Sequence, residues 1–291
     1  MTRVAITGYA SLDHVVMLDG IPTPGRTTTI IDRPEEAWPR LGGSPSYVAA
    51  ALAAGGVEAA SPVSWVGEDE AARDFRRHLE ARNVLTDGIA TVAGARTPMA
   101  ILAYEPQGGC LCLYHPAIPK DLGLTHEQKQ VIAHADWLCI TIGPSQATRE
   151  ALDALSPDGS LCWVVKDDPA ALPPDLAAQL AARADLICFS AAEAAFVQTA
   201  FACAGARPAG QMLIETRGGA GAQVTVGETT CFVVSEALAI TDPTGAGDTF
   251  AGGALAALAD GETDPVAIVK AGHKAARALL AGRVAKHNES A

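Results

Sequence analysis

The second half of the chain alternates short apolar runs with longer segments of helical periodicity. The apolar runs lie at 137–142, 161–165, 186–189 and 211–215, and the helical segments between them at 146–155, 176–182 and 191–200. Strands that alternate with helices form right-handed βαβ units, which align the strands in parallel and cover both faces of the sheet. The pattern therefore predicts a doubly wound α/β fold with a mainly parallel sheet.

The first third of the chain has a different pattern, in which most strands are short and separated by turns. The strand-like runs lie at 3–9, 14–18, 27–31, 60–66, 97–104 and 110–114, and the predicted helices at 46–54 and 68–82. Pro45 begins the first of these helices and Gly55 ends it. The turn at 106–109 joins the last two strands into a hairpin. Such short strands are typical of an edge or flap.

A chain of 291 residues, of which 49% are hydrophobic, can bury the core of one large α/β domain and is not intrinsically disordered. The longest apolar runs, 48–54 and 251–259, fall well short of a membrane span. The first three residues lead straight into a strand-like run, without the apolar segment of a signal peptide. We therefore expect a soluble, cytoplasmic protein with no membrane partner.

The formal net charge of -12 argues against a nucleic-acid partner, because phosphate backbones are bound through clustered lysine and arginine. The seven cysteines include no Cys-x-x-Cys pair, which fits neither a zinc site nor a paired disulfide framework. Cys110 and Cys112 have the spacing of one strand face. We expect reduced cysteines that serve as small apolar residues.

The most informative stretch is Asp-Pro-Thr-Gly-Ala-Gly-Asp-Thr-Phe at 242–250, which runs directly into an apolar, alanine-rich segment. In a turn that opens into a helix, the N–H groups of Gly245, Ala246 and Gly247 can point outwards and bind an anion. The charge of Asp248 would repel a phosphate, so this carboxylate is better suited to accept the proton of an attacking hydroxyl. This indicates phosphoryl transfer to an alcohol. The alternative is a glycine turn that only permits close packing.

The stretch 242–250 resembles the C-terminal signature of the PfkB, or ribokinase-like, family of carbohydrate kinases, and further motifs extend the resemblance over nearly the whole chain. The resemblance implies a single kinase domain over 1–291, with a small β lid whose strands lie within about 9–40 and 97–115. It implies ATP as the phosphate donor, a small sugar or a nucleoside as the acceptor, the three amides as an anion hole, and Asp248 as the general base.

Two segments resemble the parts of the family that bind the acceptor. Asp13 corresponds to an aspartate that binds substrate hydroxyls, a role that suits a carboxylate because it accepts several O–H bonds. A solvated surface aspartate is the alternative. Gly42 and Gly43 match a di-glycine loop that lets a ligand approach the backbone. Tyr47 stands where the family often has an asparagine that touches the sugar, and is either a wall of the pocket or a core residue.

The segment 216–222 resembles the nucleotide-phosphate loop of the family. Thr216, Gly218 and Gly221 occupy its motif positions, and the resemblance implies that they bind the phosphates of ATP. A strand-turn-strand hairpin would require the same glycines, so both interpretations stand.

Glu193 matches a glutamate that orients the water shell of Mg²⁺ in the family, a role consistent with the preference of Mg²⁺ for oxygen ligands and retained waters. Ser190 replaces the asparagine of that motif, so Glu193 is alternatively an ordinary first-turn acid of a helix that Ser190 caps. Asp242 and Thr244 match positions that bind a monovalent cation, such as K⁺, in many members. Lys-Asp-Asp-Pro at 166–169 replaces the Asp-Pro-Asn type of sequence that is more usual in the family, and Lys166 would place a positive charge near the acceptor.

Several alternatives remain open at this point. Within kinases, the acceptor is a free sugar or a nucleoside whose base stacks on Tyr47. Outside kinases, the chain is a ligand-binding homologue that has lost catalysis. The lid strands expose an edge, and pairing of two such edges would make a homodimer, with a monomer as the alternative. The final predicted helix, 264–280, would form a wall of the adenine pocket, with Gly272 permitting close approach.

Overall fold

The computed structural model of the protein describes residues 2–205, 207–240 and 242–290, and describes the backbone alone for 285–290. Within these residues the strands are β1 (Arg3–Thr7), β2 (Ser11–Leu18), β3 (Ile30–Asp32), β4 (Arg40–Gly42), β5 (Ala59–Val66), β6 (Ile89–Thr91), β7 (Met99–Tyr104), β8 (Cys110–His115), β9 (Trp137–Ile140), β10 (Ser160–Val164), β11 (Leu186–Ser190), β12 (Met212–Thr216), β13 (Gly221–Val226) and β14 (Thr229–Val234). The helices are α1 (Ser44–Ala54), α2 (Glu70–Glu80), α3 (His126–Ala133), α4 (Ser145–Ala154), α5 (Pro174–Arg183), α6 (Ala194–Ala204), α7 (Ala246–Ala259) and α8 (Pro265–Ser290).

The main sheet has the strand order β14-β13-β12-β11-β10-β9-β1-β5-β6 in the part of the chain that the structure describes. The strands from β12 to β6 in this order are all parallel to their neighbours. β13 and β14 add an antiparallel hairpin at one edge. The predicted mainly parallel α/β fold is confirmed. Because parallel strands end at the same edge of a sheet, the segments that follow β10, β11 and β12 meet there.

The two faces of the main sheet are covered by different helices. Cys162 and Val164 of β10 belong to a hydrophobic cluster with α1, α2, α7 and α8. Leu161 and Trp163, the alternate residues of the same strand, belong to a cluster with α3 to α6. This follows from the two-residue period of a strand. Burial of one large side chain such as Trp163 contributes about 1.5–3 kcal/mol, so both clusters stabilise the sheet.

A second, small sheet has the order β3-β2-β7-β8, and β4 also pairs with β2. β2 and β7 are parallel, whereas β7 and β8 form the predicted antiparallel hairpin. These strands lie within the segments predicted for the lid, 9–40 and 97–115, except that β4 extends to Gly42. All residues of β8 are exposed, and the structure describes no strand on its outer side.

Some elements were not predicted from the sequence. β6 and α3 are too short for their periodicity to be decisive, with 3 and 8 residues. The hairpin of β13 and β14 was weighed only as an alternative for the glycines of 216–222. Within the described residues, no helix is long and apolar enough to cross a membrane.

The cysteines are free thiols. Cys139, Cys162 and Cys188 are buried in the main sheet, as expected of small apolar residues. Cys110 and Cys112 are instead exposed on β8, so they do not fill the core.

Candidate active site

A cleft of about 290 Å³ opens between the carboxyl ends of β10, β11 and β12 and the N-terminus of α7. A volume of this size suits one small molecule. The lining side chains include Lys166, Ser190, Glu193, Thr216 and Asp248, together with Ser44, Gly245 and Gly247. The structure therefore brings the predicted base into one cleft with the predicted Mg²⁺ glutamate, part of the predicted phosphate loop and two glycines of the predicted anion hole.

Gly245 begins α7 in the left-handed conformation, with φ 73°. A Cβ at this position would lie 2.6 Å from ring atoms of Tyr47. Glycine is therefore required at position 245 for two reasons, the positive backbone angle φ and the close approach of the Tyr47 ring. Gly247 lies in the first turn of α7, where a backbone N–H has no acceptor within the helix. This N–H can serve an anion bound in the cleft.

The backbone N–H of Ala246 was predicted to bind an anion, but it already has a hydrogen-bond acceptor within the protein. This N–H donates to the carbonyl of Pro243 at 3.0 Å, which closes the turn before α7. Ala246 also does not line the cleft. The predicted anion hole is therefore reduced to Gly245 and Gly247, because a donor that already has a carbonyl acceptor is not free for a phosphate.

Asp248 lies in the first turn of α7 and is partly exposed to the cleft. The protein that surrounds its carboxylate displaces water, and this loss of hydration raises the pKa of Asp248 to about 6. A hydrogen bond from Ser44, at the start of α1, lowers the pKa and offsets part of that rise. A carboxyl group with this pKa is ionised at neutral pH but is a better base than an ordinary aspartate.

Three further charges act on Asp248 across the cleft. The exposed Lys166, directly after β10, lowers the pKa of Asp248. Glu193 and Asp13 raise it. The predicted positive charge of Lys166 is thus within electrostatic reach of the base. Ser44 had no role in the sequence analysis, because nothing in its local sequence indicates contact with a residue two hundred positions later.

Asp13 lies in β2 of the small sheet, is 4% exposed and does not line the cleft, although its charge acts on Asp248. Ser11 donates a hydrogen bond to its Oδ1 at 2.7 Å. Burial raises the pKa of Asp13, while the bond from Ser11 and the charge of Arg40 lower it. A Cβ on Gly42 would lie within 2.4 Å of the Asp13 carboxylate atoms. The first glycine of the di-glycine loop therefore makes room for the aspartate itself.

Gly43 and Tyr47 begin α1, but Tyr47 does not line the cleft. Gly43 has φ 81° and precedes the helix, so it provides the sharp entry into α1. Tyr47 is 8% exposed and lies beneath the turn of Gly245. Tyr47 thus packs against the turn, and it also lines a larger cavity between α1 and α8. The side chain is part of the support of the anion turn.

Glu193 ends a short 3₁₀ turn, Ala191–Glu193, that follows β11. Its Oε2 accepts hydrogen bonds from both the backbone N–H and the hydroxyl of Ser190, each at 2.8 Å. The capping alternative is therefore observed. Because these bonds use only Oε2 and Glu193 also lines the cleft, the capped carboxylate retains an oxygen for another ligand.

The predicted phosphate loop divides into two parts. Thr216, at the end of β12, lines the cleft beside Asp248. Gly218 has φ 56° and an open surface. Gly221 begins β13, where a Cβ would lie 2.3 Å from the carbonyl oxygen of Val233. Gly221 is thus required by the hairpin, as the structural alternative held, while Thr216 remains a candidate ligand.

Asp242 lies outside the cleft, in the segment before α7, and is bound by side chains from distant parts of the chain. Nη1 of Arg40 forms a short ion pair with its Oδ2. The hydroxyl of Tyr104 donates to its Oδ1 at 2.7 Å and is also in short contact with Thr244. Burial raises the pKa of Asp242, but the hydrogen bond and charge of Arg40 and the charge of Arg283 outweigh it and hold the pKa well below its usual range. Asp242 is therefore a permanent anion.

Arg283 reaches the same place from α8. Its Nη1 donates to the carbonyl oxygens of Asp242 at 3.0 Å and Thr244 at 2.7 Å. The same nitrogen lies 3.5 Å from Oδ2 of Asp242. Arg40, Tyr104 and Arg283 were all missed by the sequence analysis. The sequence offered only two indications of these contacts. Arg40 lies in a strand shortly before the di-glycine loop, and Arg283 lies on the apolar side of a helix.

A larger cavity of about 480 Å³ lies behind Tyr47, between α1 and α8, and its lining does not include Asp248. Its lining combines alanine and leucine residues with the charged side chains of Arg40, Asp242 and Arg283, but it includes none of the residues that line the smaller cleft. Gly272 of α8 lies against the ring of Phe250 in α7, where a Cβ would be 2.8 Å from the ring. The close approach at Gly272 is thus between two helices.

The sequence pattern described as pfkB family carbohydrate kinase matches residues 1–288 of the chain. The chain belongs to this family. The predicted family is thereby confirmed, over nearly the whole length in which its motifs were found.

The chain is similar to the ATP-dependent ribose-1-phosphate kinase of Halopiger xanaduensis, with 27% identity over 141 residues. The alignment covers 48% of this chain and 46% of that protein, so the chain spans about half the length of the curated relative it matches. The nucleoside kinase of Methanocaldococcus jannaschii has a TM-score of 0.79 at 17% identity, covering 97% of this chain and 92% of that one. The ribokinase of Cryptococcus neoformans in complex with ADP has a TM-score of 0.76 at 21% identity, covering 93% and 91%. These likenesses establish the ribokinase fold.

The pfkB resemblance implies Mg²⁺, and the cleft fits this ion. Among the residues that the structure describes, no group of three or more His, Cys, Asp or Glu side chains could hold a metal ion directly. Mg²⁺ usually keeps several waters and binds through one or two carboxylates together with phosphates. Glu193 meets that requirement, because its carboxylate lines the cleft and retains Oε1 for a water ligand.

The implied monovalent cation does not fit at Asp242 and Thr244. The carboxylate of Asp242 is ion-paired with Arg40 and lies beside Arg283, which also binds both backbone carbonyls. At an effective dielectric constant of 20, one like charge at 4 Å repels another by about 4 kcal/mol. A metal cation would meet two such charges and find its oxygen ligands occupied, so the prediction of a cation at these residues is not supported.

Proposed function

We propose that this protein is an ATP-dependent kinase that transfers the γ-phosphate to a hydroxyl of a small sugar or sugar-like acceptor. The observation that carries the proposal is the position of Asp248. Its carboxylate, with a pKa raised to about 6, lines one cleft with the amide-bearing turn of Gly245 and Gly247. Phosphoryl transfer to a hydroxyl needs a group that accepts the hydroxyl proton and a site that binds the phosphate, and a carboxylate beside an anion-binding helix terminus provides both.

The reaction begins with an acceptor hydroxyl directed at Asp248. As the new O–P bond forms and the bond to the leaving diphosphate breaks, the hydroxyl proton passes to the carboxylate. The N–H groups of Gly245 and Gly247 are assigned to the charge on the transferred group. Fixed dipoles of this kind need no reorganisation during the reaction, because the helix already holds them in place.

The acceptor is assigned to the side of the cleft that faces the small sheet. Asp13 carries the hydrogen bond from Ser11 on Oδ1, and its remaining oxygen would accept hydroxyls of the acceptor. Lys166 lies in the same cleft as Asp248. The small sheet would act as a lid that excludes water, since water competes with the acceptor for the phosphate.

The nucleotide is assigned to the side formed by the ends of β11 and β12. Thr216 would hydrogen-bond a phosphate of ATP, and the open turn at Gly218 would let the phosphates approach the backbone. Glu193 would hold Mg²⁺ through water. When bound, this ion neutralises the charge of the phosphates.

A nucleoside is the second candidate acceptor, supported by the likeness to the Methanocaldococcus jannaschii nucleoside kinase. The position of Tyr47 favours a sugar, because its ring lies beneath Gly245 and is not free to stack on a base. Lys166 additionally favours an acceptor with an anionic group, such as a sugar phosphate, since a lysine beside the acceptor can pair with it.

The experiment is a panel of free sugars, sugar phosphates and nucleosides, with ATP consumption and the phosphorylated product both measured. We expect turnover with at least one sugar or sugar phosphate, and loss of that turnover in Asp248→Asn. Turnover with nucleosides alone would replace the sugar by a nucleoside. ADP release without any phosphorylated acceptor, unchanged in Asp248→Asn, would refute the proposal and favour a ligand-binding homologue.

A homodimer formed through the small sheet is part of the same proposal. Leu111 and Leu113 are 41% and 53% exposed on β8, whose outer edge is not covered by another described strand. An uncovered edge with exposed apolar side chains favours pairing with a second copy.

A further inference from the structure

Nη1 of Arg283 lies among three oxygen atoms of the segment that leads into the anion turn. It is 3.0 Å from the carbonyl oxygen of Asp242, 2.7 Å from that of Thr244, and 3.5 Å from Oδ2 of Asp242. Backbone carbonyls and a carboxylate are the ligands that proteins offer to hard metal cations. In this chain the positive charge at their centre belongs to a guanidinium group.

The guanidinium group is connected to Gly245 by a second route. Nη2 of Arg283 lies 3.4 Å from the hydroxyl of Tyr47, and the guanidinium carbon lies 6.0 Å from the centre of that ring. The same ring also lies against Gly245, where a Cβ would be 2.6 Å from its atoms. Arg283 therefore fixes the turn from the carbonyls before it and from the tyrosine beneath it.

Arg40 does not duplicate this arrangement. It binds Oδ2 of Asp242, whereas Arg283 binds the two backbone carbonyls. Arg40 therefore neutralises the carboxylate, while Arg283 fixes the path of the backbone. Both side chains are largely buried, at 12% and 17% exposed, so neither charge is fully hydrated.

We propose that Arg283 takes the place of a monovalent metal cation in this protein and positions the turn of Gly245 and Gly247 for phosphate binding. The inference rests on the proposed kinase function. Arg283 is a positioning residue, because it contacts the turn and not the cleft. The proposal predicts that the activity of the wild-type protein does not depend on K⁺. It also predicts that a variant without the guanidinium group needs an added cation for activity.

The first test measures turnover with the acceptor found in the panel, in KCl, NaCl and tetramethylammonium chloride. At matched ionic strength, which screens exposed charges alike, the wild-type rates should agree within about two-fold. In Arg283→Ala, kcat should fall by about 10- to 100-fold, as expected for a small displacement of catalytic groups. KCl or low guanidinium chloride should restore much of this loss, and Arg283→Lys should be less affected than Arg283→Ala.

Arg277→Ala is the matched control on the same helix. Arg277 lies six residues before Arg283 and donates to the carbonyls of Glu236 and Ala237. The Arg277→Ala variant therefore lacks one arginine of α8 but keeps both of the arginines that lie beside Asp242. We expect no rescue of this variant by K⁺ or guanidinium.

The second test is independent of turnover and therefore of the proposed reaction. The midpoint of thermal unfolding should be the same in KCl and tetramethylammonium chloride for the wild type and Arg277→Ala. For Arg283→Ala it should be higher in KCl, because a ligand that binds only the folded state raises the midpoint. If the panel yields no product, this measurement still decides the proposal.

The proposal is overturned if the wild type requires K⁺ for turnover, or if KCl specifically raises its unfolding midpoint. It is also overturned if Arg283→Ala keeps full activity, or if it loses activity and no cation restores it. If Arg283→Ala does not fold, the wild-type measurements in the different salts and the comparison of the wild type with Arg283→Lys still decide the proposal.

Discussion

The ring of Tyr47 lies directly against the α-carbon of Gly245, so closely that a Cβ at Gly245 would be 2.6 Å from the ring. Tyr47, for which the sequence left open a wall of the pocket or a core position, therefore supports the turn at the start of α7. This contact links the start of α1 to the start of α7. Both helices also bring a polar side chain to the cleft, Ser44 and Asp248.

Gly245→Ala should therefore be strongly destabilising. A left-handed alanine costs about 1–2 kcal/mol, and the overpacked contact with Tyr47 costs about 1–3 kcal/mol more. Gly261→Ala is the matched control, since Gly261 also has a positive φ, 92°, but open space around it. Urea unfolding should show the larger loss of free energy for Gly245→Ala. Equal losses would mean that the ring does not restrict this position.

The pKa of Asp248 sets the expected pH profile. Since the carboxylate must be ionised to accept a proton, kcat/KM should fall as the pH drops through about 6. Asp248→Asn should lower kcat by about 10²- to 10⁴-fold. Asp260→Asn, at the exposed end of the same helix, should leave the rate unchanged. A wild-type profile that is flat down to pH 4.5 would contradict the role of Asp248 as base.

Asp248 should also make the protein less stable at neutral pH. Its pKa is raised in the folded state, so its favourable contribution is present below the ordinary pKa of aspartate and is lost as the pH rises through about 6. Asp248→Asn should therefore increase the free energy of unfolding at pH 8, by at most about 3 kcal/mol. The increase should disappear at pH 4. Urea unfolding of both proteins at pH 8 and pH 4 measures this difference in the free energy of unfolding. If Asp248→Asn were less stable than the wild type at pH 8, the folded protein would stabilise the ionised carboxylate, and the prediction would be wrong.

Lys166→Met should shift the pH profile and weaken the binding of an anionic acceptor. Lys166 lowers the pKa of Asp248, so its loss should move the midpoint of kcat/KM to higher pH. If the acceptor carries a phosphate or carboxylate, KM should also rise about 10-fold, the cost of one charge-assisted hydrogen bond. Lys120→Met, at an exposed site outside the cleft, is the control. An unchanged midpoint would place the ammonium group too far from Asp248 to act on it.

Leu113→Arg should convert a dimer into a monomer. The substitution places a charge at the centre of β8, which would be buried if the edges of two copies pair. Val234→Arg is the matched control, because Val234 is 74% exposed on β14, at the edge of the main sheet. Light scattering coupled to gel filtration gives the mass of each. A wild-type monomer, or equal masses for all three proteins, would exclude this interface.

The sequence was sufficient for features with a local cause. The alternation of strands and helices predicted the main sheet, since periodicity is a property of neighbouring residues. The glycines and Asp248 at the start of α7 were also predicted, because a helix N-terminus is determined within one turn. Glu193 was placed in the cleft for the same reason, as it follows β11 directly.

The environment of Asp242 could not be predicted in this way. Its carboxylate is bound by Arg40 and flanked by Arg283, which lie 202 residues before it and 41 residues after it. Each arginine is unremarkable within its own segment. Their meeting depends on the packing of β4, α7 and α8, which no local pattern specifies. Tyr47 was ambiguous for the same reason, since its neighbour Gly245 lies in a distant part of the chain.

The ion-paired group of Arg40, Asp242 and Arg283 also has a consequence for biosynthesis. Its members are translated far apart in time, and an incomplete polypeptide contains Arg40 long before Asp242 and Arg283 emerge. The turn of Gly245 and Gly247 can therefore acquire its support only after Arg283 has left the ribosome. Nascent chains that end before Arg283 should consequently lack the supported form of this turn.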